Sequence, residues 1–275
     1  MSAPSTRQTP AAHYTHGHAE AVLRAHADRT IANSLAYGQA CLRPGMTVLD
    51  LGCGAGTITA DIAERVAPGL VIASDIHPGV LEQARDYALS RGIHNIEYLV
   101  MDGCALGLDD DSVDLAHAHQ VMQHVSDPVA VLREMARVTR PGGHIAVRDG
   151  DYGAFTWHPA SPGIEQWRHL YSAAARANGG EPDAGRRLLA WAHQAGLTDV
   201  TATSTTWTYP AGDPARWWGT NWANRLLNSD LTCQLTDSGL ATTTELEQIA
   251  QAWLDWSEHP DAWFMAPSAE ILVTM

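Results

Sequence analysis

The sequence predicts a doubly wound α/β fold, and three observations carry that expectation. Apolar runs of strand length alternate five times with segments of helical periodicity between residues 47 and 148. The first run leads straight into a turn with glycine at alternate positions, Gly52, Gly54 and Gly56. All ten tryptophans follow residue 156, so the second half of the chain differs in composition from the first.

Before the first strand, Ala21, Val22, Ala25, Ile31 and Leu35 recur at helical spacing, predicting one or two helices that end near Pro44-Gly45. The first strand is residues 47–51. A helix over 57–66 follows the glycine turn and is closed by Pro68-Gly69. Strand two is 70–74. Pro78 suits the first turn of a helix that runs to residue 90 and stops at Arg91-Gly92. Strand three is 96–100, Asp109 to Ser112 is a turn, and strand four is 113–118. Asp127 is the expected N-cap of a helix over 128–139. Arg140-Pro141-Gly142-Gly143 is a turn before strand five, 144–148. Helical periodicity then marks 164–177, 186–195, 214–227 and 244–257, with strand patterns at 200–209 and 270–275.

Glycines at alternate positions let the backbone turn sharply and let a ligand lie against it with no Cβ in the way. A carboxylate, Asp75, ends the second strand about 20 residues beyond the loop, the spacing of an acid that grips two ribose hydroxyls. Strand, glycine loop, helix and strand-end acid describe a nucleoside-binding unit. In the dinucleotide pattern G-x-G-x-x-G the third glycine stands one residue later than here, where position 57 is Thr. The spacing therefore counts against a nicotinamide-dependent oxidoreductase, which stays as the third alternative.

Asp50-Leu51-Gly52-Cys53-Gly54-Ala55-Gly56 resembles the D-x-G-x-G-x-G motif of the class I S-adenosylmethionine (SAM) methyltransferases. Gln120-Val121-Met122-Gln123-His124-Val125 with Asp127-Pro128 is similar to the corresponding region of the ubiquinone/menaquinone-biosynthesis branch and its small-molecule relatives; Gln123-His124 stands where the common form has Leu-His. The resemblance covers residues 45–209 and 268–275. It implies a Rossmann-like seven-stranded sheet with an antiparallel last strand, N-terminal helices, and a helical insertion between strands six and seven. The expected division is an arm and helical lid over 1–44, a SAM-binding domain over 45–210 and 268–275, and an insertion over 211–267 that contributes to the acceptor pocket. The resemblance implies SAM as cofactor and methyl transfer to an O, N or C acceptor. A SAM-binding enzyme of the same fold that decarboxylates, hydroxylates or performs pericyclic chemistry is the second alternative.

The resemblance also implies site residues. The loop Gly52, Gly54 and Gly56 passes beneath the methionyl and ribose parts, with Asp50 orienting the amino group. Asp75 accepts both ribose hydroxyls, Ile76 packs on the adenine, and Asp102 beside Gly103 accepts from the adenine amino group. His119 and Gln120, at the end of strand four, face the methionine tail. The segment His13-Tyr14-Thr15-His16-Gly17-His18 is expected to fold over the cofactor, with Tyr14 and His18 as contacts; a flexible arm or a weak metal-binding tract is the other reading.

Methyl transfer needs a base only where the acceptor loses a proton, and His119, His124, Asp151 and His158 are the candidates. Each has a competing reading as a residue tied to backbone or core. Tyr152 and Trp157 flank the loop after strand five. Trp218 and Trp222 share one face of a helix, either as core or as an aromatic wall for a flat acceptor.

Formal charge is −14, from 31 acids against 17 bases, and all the bases are arginine. Such a chain is a poor partner for nucleic acid, whose phosphates need basic surface, and no Asn-Pro-Pro-Tyr-type base-methylation motif is present. No run of 18 apolar residues predicts a membrane span, and Met1 to Pro10 lack an apolar signal segment. The four cysteines form no C-x-x-C pair, so reduced structural thiols in the cytoplasm and no metal are expected. The expected partner is a small-molecule substrate, and a homodimer is compatible with the pattern.

Overall fold

A computed structural model describes residues 29–275. The expected lid contacts Tyr14 and His18 lie outside the described residues. Of the helices expected before the first strand, the described part holds one turn, α1 (Ile31–Ser34), started by a reciprocal Thr30–Asn33 capping box, and a short 3-10 turn at Gln39–Cys41.

Five parallel strands form the frame: β1 (Thr47–Leu51), β2 (Leu70–Asp75), β3 (Ile96–Val100), β4 (Val113–His119) and β5 (Thr139–Gly150). Between them run α2 (Thr57–Val66), α3 (Pro78–Ser90) and α4 (Pro128–Val138). The chain continues through β6 (Thr156–His158), α5 (Pro162–Ala177), α6 (Leu188–Ala195) and β7 (Val200–Pro210). It ends with α7 (Asp213–Asn228), α8 (Asp230–Asp237), α9 (Thr243–Ser257) and β8 (Trp263–Thr274). The sheet order is β3-β2-β1-β4-β5-β8, with β8 antiparallel to β5 and carrying β6 and β7.

Apolar residues on both faces explain why the central strands sit in the middle. Leu49, Ala116, Ile145, Val147, Ile271 and Val273 turn to one side, under α4 and α6. Val48, Leu115 and Ala146 turn to the other, where Ile31, Leu35 and the α2 residues Ile58 and Ile62 cover them.

The sheet has eight strands where seven were expected. The addition is β6, which pairs with the start of β8 and continues the line of β5 after a five-residue break. Pro267 accounts for the break. Its carbonyl accepts the Asp151 N–H, so its nitrogen faces the same gap, and a proline has no N–H to offer there. β8 also begins seven residues before the expected strand at 270, and β5 begins at Thr139, absorbing the expected turn.

Most of the tryptophans form a second core, while Trp191 packs on the sheet core. Trp167 on α5, Trp222 on α7 and Trp253 on α9 are fully buried, with Trp167 4.3 Å from Trp222 and 5.0 Å from Trp253 between ring centroids. Phe264 of β8 packs on Trp253 and Trp256, which ties this core to the sheet.

Candidate cofactor and acceptor site

The ends of β1, β2 and β3 form one continuous edge. Gly52, Gly54 and Gly56 all adopt left-handed backbone, φ +67°, +55° and +79°. Two of them also face a space that only glycine leaves open. A Cβ on Gly52 would stand 2.5 Å from Val121 Cγ2, and one on Gly56 2.7 Å from Ala84 Cβ of α3. Asp75 holds the loop, accepting the Gly54 N–H at 3.2 Å through Oδ2 and the His77 N–H at 3.1 Å through Oδ1. Beside it Ile76 is 52% exposed, a large apolar side chain facing solvent at the rim of a polar cradle. Asp102 is exposed and accepts the Cys104 N–H at 2.9 Å, and the adjacent Gly103 lies close over Leu51.

Asp50 sits differently from the expectation that it reaches the ligand. It is buried, and both its oxygens are engaged within the protein: Oδ1 with His117 Nδ1 at 2.7 Å and Oδ2 with the Thr59 hydroxyl at 2.5 Å. It braces the loop from below, tying β1 to β4 and to the first turn of α2.

At the end of β4, His119 is buried with its ring 5.9 Å from that of Trp207 on β7 and 6.5 Å from that of His117. Gln120 takes left-handed backbone, φ +56°, a conformation costly for a residue with a Cβ. It is held there by its N–H to the Arg148 carbonyl, 2.7 Å, and its side-chain oxygen accepts from Arg29. The next turn hangs on Asp149, whose carboxylate accepts the Met122 and Gln123 N–H groups at 3.2 and 3.1 Å. Burial lifts the Asp149 carboxyl to about 7, against the lowering effect of those hydrogen bonds and of Arg148. His124 has the opposite shift. Burial, reinforced by the Arg29 charge, pushes its imidazole down to about 3, and the Gln123 amide nitrogen lies 3.0 Å from its Nε2. A histidine so reluctant to take a proton is a weak base, and His124 packs rather than titrates at neutral pH.

The other candidates scatter. Asp151 makes a two-point ion pair with Arg186, 2.5 and 2.6 Å, and caps the turn at Ala154, so its carboxylate belongs to the scaffold and not to proton transfer. His158 is exposed on β6, where its carbonyl accepts from the Trp256 indole at 3.0 Å. Tyr152 stacks on Tyr171 at 4.2 Å inside the aromatic core, and Trp222 is fully buried there. Trp218 stacks on Tyr209 at 4.3 Å, and Trp157 on Phe264 at 5.9 Å.

Sequence reasoning passed over the residues that surround His119. Trp207 carries the Arg148 guanidinium 4.5 Å from its ring centroid and that of Arg29 at 5.7 Å, and its indole donates to the Asn33 carbonyl at 3.0 Å. A cavity of about 480 Å³ opens here, lined by Arg29, Asn33, Trp207, Tyr209, Pro214 and Trp217 among others. The available signal was a pair of charges, Arg148-Asp149, directly after the apolar run Ile145-Ala146-Val147.

Among known proteins, a family model described as a methyltransferase domain matches residues 42–203. The chain belongs to the methyltransferase-domain family. This methyltransferase is 28% identical over 280 residues to an uncharacterised methyltransferase of Schizosaccharomyces pombe, covering 97% of the chain and 98% of that protein. It is 37% identical over 108 residues to the ubiquinone/menaquinone biosynthesis C-methyltransferase UbiE of Idiomarina loihiensis, over 38% of the chain and 43% of UbiE. Its fold matches the YcgJ protein of Bacillus subtilis with a TM-score of 0.56 at 18% identity, over 87% of the chain and 97% of that structure. It is an S-adenosylmethionine-dependent enzyme of class I, and the edge fits that cofactor: a loop that only glycine can form, a half-exposed carboxylate at the end of β2, and an apolar side chain at the rim. Among the described residues no helix is long and apolar enough to cross a membrane.

Proposed function

We propose that the enzyme methylates an oxygen, nitrogen or carbon of a small-molecule acceptor held between the ends of β4 and β5 and the underside of β7. The observation that carries this reading is the adjacency of two surfaces: the glycine cradle with Asp75 and, past His119, the aromatic and cationic cavity beside Trp207. When bound, the cofactor supplies a methyl group on a sulfonium, open to in-line attack. Asp75 receives the ribose hydroxyls, Ile76 lies against the adenine, and Asp102 accepts from its amino group. The loop backbone of Gly52 to Gly56 passes under the methionyl chain, while His119 and Gln120 border the transferring end. Holding two reactants in line can account for roughly 7–11 kcal/mol of the barrier, so the protein's main contribution is alignment. Where the acceptor must lose a proton, His119 is the histidine placed to take it.

The chain's acidity, −14 overall, argues for small molecules in solution and against nucleic acid, and we read the enzyme as cytoplasmic. UbiE, named for quinone biosynthesis, lends support to an acceptor of low molecular weight. Calorimetric titration with S-adenosylhomocysteine tests the donor site. Asp75→Ala is expected to weaken binding by about 10- to 100-fold, since hydrogen bonds to a charged group contribute about 1.5–3 kcal/mol. Unchanged affinity in that variant would remove Asp75 from the site. Formation of S-adenosylhomocysteine from SAM with an acceptor panel tests the transfer itself.

A further inference from the structure

The sheet register sets four polar residues side by side on one face. His119 of β4 pairs with Arg148 of β5, Arg148 with Glu270 of β8, and Glu270 with Thr203 of β7. Arg148 is fully buried there. Its Nε is used, at 3.2 Å from the Thr205 hydroxyl and 3.3 Å from Glu270 Oε1. Glu270 is well supplied, because the Thr203 hydroxyl donates at 2.9 Å and that of Thr205 also donates. The two terminal nitrogens of Arg148 have no hydrogen-bond partner among the described residues, and neither does the buried hydroxyl of Tyr37, which lies within electrostatic reach of Arg148 and Glu270.

Buried polar groups are normally matched, and an unmatched guanidinium edge is expensive. Here the unmatched groups share one character. The terminal nitrogens of Arg148 offer four N–H donors and Tyr37 an O–H, none of them engaged in a hydrogen bond among the described residues. Their complement is a negatively charged group with two oxygens in one plane, for which the guanidinium fork is the usual receptor. Trp207 covers the face of the guanidinium and forms a wall of the adjoining cavity, which Arg29 also lines; Arg148 itself lies behind Trp207 and outside the cavity lining. In a chain of net charge −14, two arginines on one tryptophan beside the transfer site mark a local exception.

We infer that the acceptor is a planar carboxylate, its ring in the cavity against Trp207 and its acid group on the terminal nitrogens of Arg148 and the hydroxyl of Tyr37. This rests on the reading of the site as a methyltransferase acceptor pocket. The same chemistry has a second source, the carboxylate of the cofactor's own methionyl group, and the test separates the two.

The experiment uses the full chain, loaded with S-adenosylhomocysteine, and follows tryptophan fluorescence on titration with 2-naphthoate and its neutral counterpart 2-naphthamide. The wild type is expected to bind the acid at least tenfold tighter than the amide. Arg148→Met should abolish that preference while changing affinity for S-adenosylhomocysteine by less than twofold. Tyr37→Phe, which removes one hydroxyl, should reduce the preference severalfold. Because Arg148→Met strands the Glu270 charge, the double variant Arg148→Met/Glu270→Gln supplies the same readout in a neutral core. Equal binding of acid and amide to the wild type overturns the inference. So does a parallel loss of S-adenosylhomocysteine affinity in the Arg148 variants, which would assign the anion site to the cofactor. Failure of the wild type to bind S-adenosylhomocysteine at all would instead overturn the donor site.

Discussion

Asp149, near the end of β5, and His124, in the turn after β4, show how single residues shape the response to pH. Burial raises the Asp149 carboxyl to about 7, while in the unfolded chain it ionises near 3.9. Between about pH 4 and 7 the folded protein keeps a proton the unfolded chain has lost, so this residue makes stability fall as pH rises. Burial lowers His124 to about 3 against an unfolded value near 6.5. Between about pH 3 and 6.5 the unfolded chain binds the extra proton, and this residue makes stability rise with pH. The two slopes oppose each other across pH 4 to 6.5. His124→Gln removes only the rising one. Relative to this variant, the wild type is expected to gain on the order of 1 kcal/mol per pH unit from pH 4.5 to 6.5, measured by urea unfolding. A difference between the two proteins that does not change with pH would rule out a histidine held neutral by the fold.

At the scale of elements, the helices inserted between β7 and β8 act as core, and α7 is the clearest case. Trp222 packs against Trp167 and Trp253 with no exposed surface. Trp222→Ala is expected to destabilise the protein by about 3–5 kcal/mol in chemical denaturation, the range for removing a buried aromatic. A pocket wall would behave otherwise, leaving stability nearly intact and changing acceptor affinity alone. The sequence could not separate these roles, because helical spacing names a face without naming what covers it; α5 and α9 supply the cover through residues 50 or more and 30 or so positions away. β1 and β2 were legible because they are buried on both faces, which leaves largely apolar runs bounded by turn residues. The cradle was legible for a related reason: left-handed backbone at Gly52, Gly54 and Gly56 and the tight approaches of Val121 and Ala84 demand glycine itself. β8 was harder to read. Its first half, Trp263 to Pro267, carries a proline, and that residue is tolerated only because the neighbouring strand is interrupted opposite it. Trp207 and Arg148 were missed because their meaning comes from pairing across β5, β8 and β7, which only the register supplies.

At the scale of the whole molecule, β8 joins two cores that have different tasks. Its residues Ser268 to Thr274 pair with β5 and complete the sheet that carries the cofactor edge. Its residues Trp263 to Met265 pair with β6, and Phe264 packs into the aromatic core. A strand shared in this way should make the two halves unfold together, because neither core is closed without it. The distribution of tryptophan makes the point measurable. All ten lie after residue 156, and eight of them pack in or against the aromatic core while Trp191 packs on the sheet core, so fluorescence reports mainly on the part that does not contain the cofactor cradle. S-adenosylhomocysteine at 100 times its dissociation constant stabilises whatever unfolds with its site by about 2.7 kcal/mol. For a chain of this size that corresponds to a rise of roughly 5–10 °C in Tm. With β8 coupling the cores, tryptophan fluorescence and far-ultraviolet circular dichroism should give one coincident transition, and saturating ligand should move both by the same amount. A fluorescence transition that stays in place while the circular dichroism transition shifts would mean that the aromatic half melts independently, and that β8 bridges the two cores without coupling them.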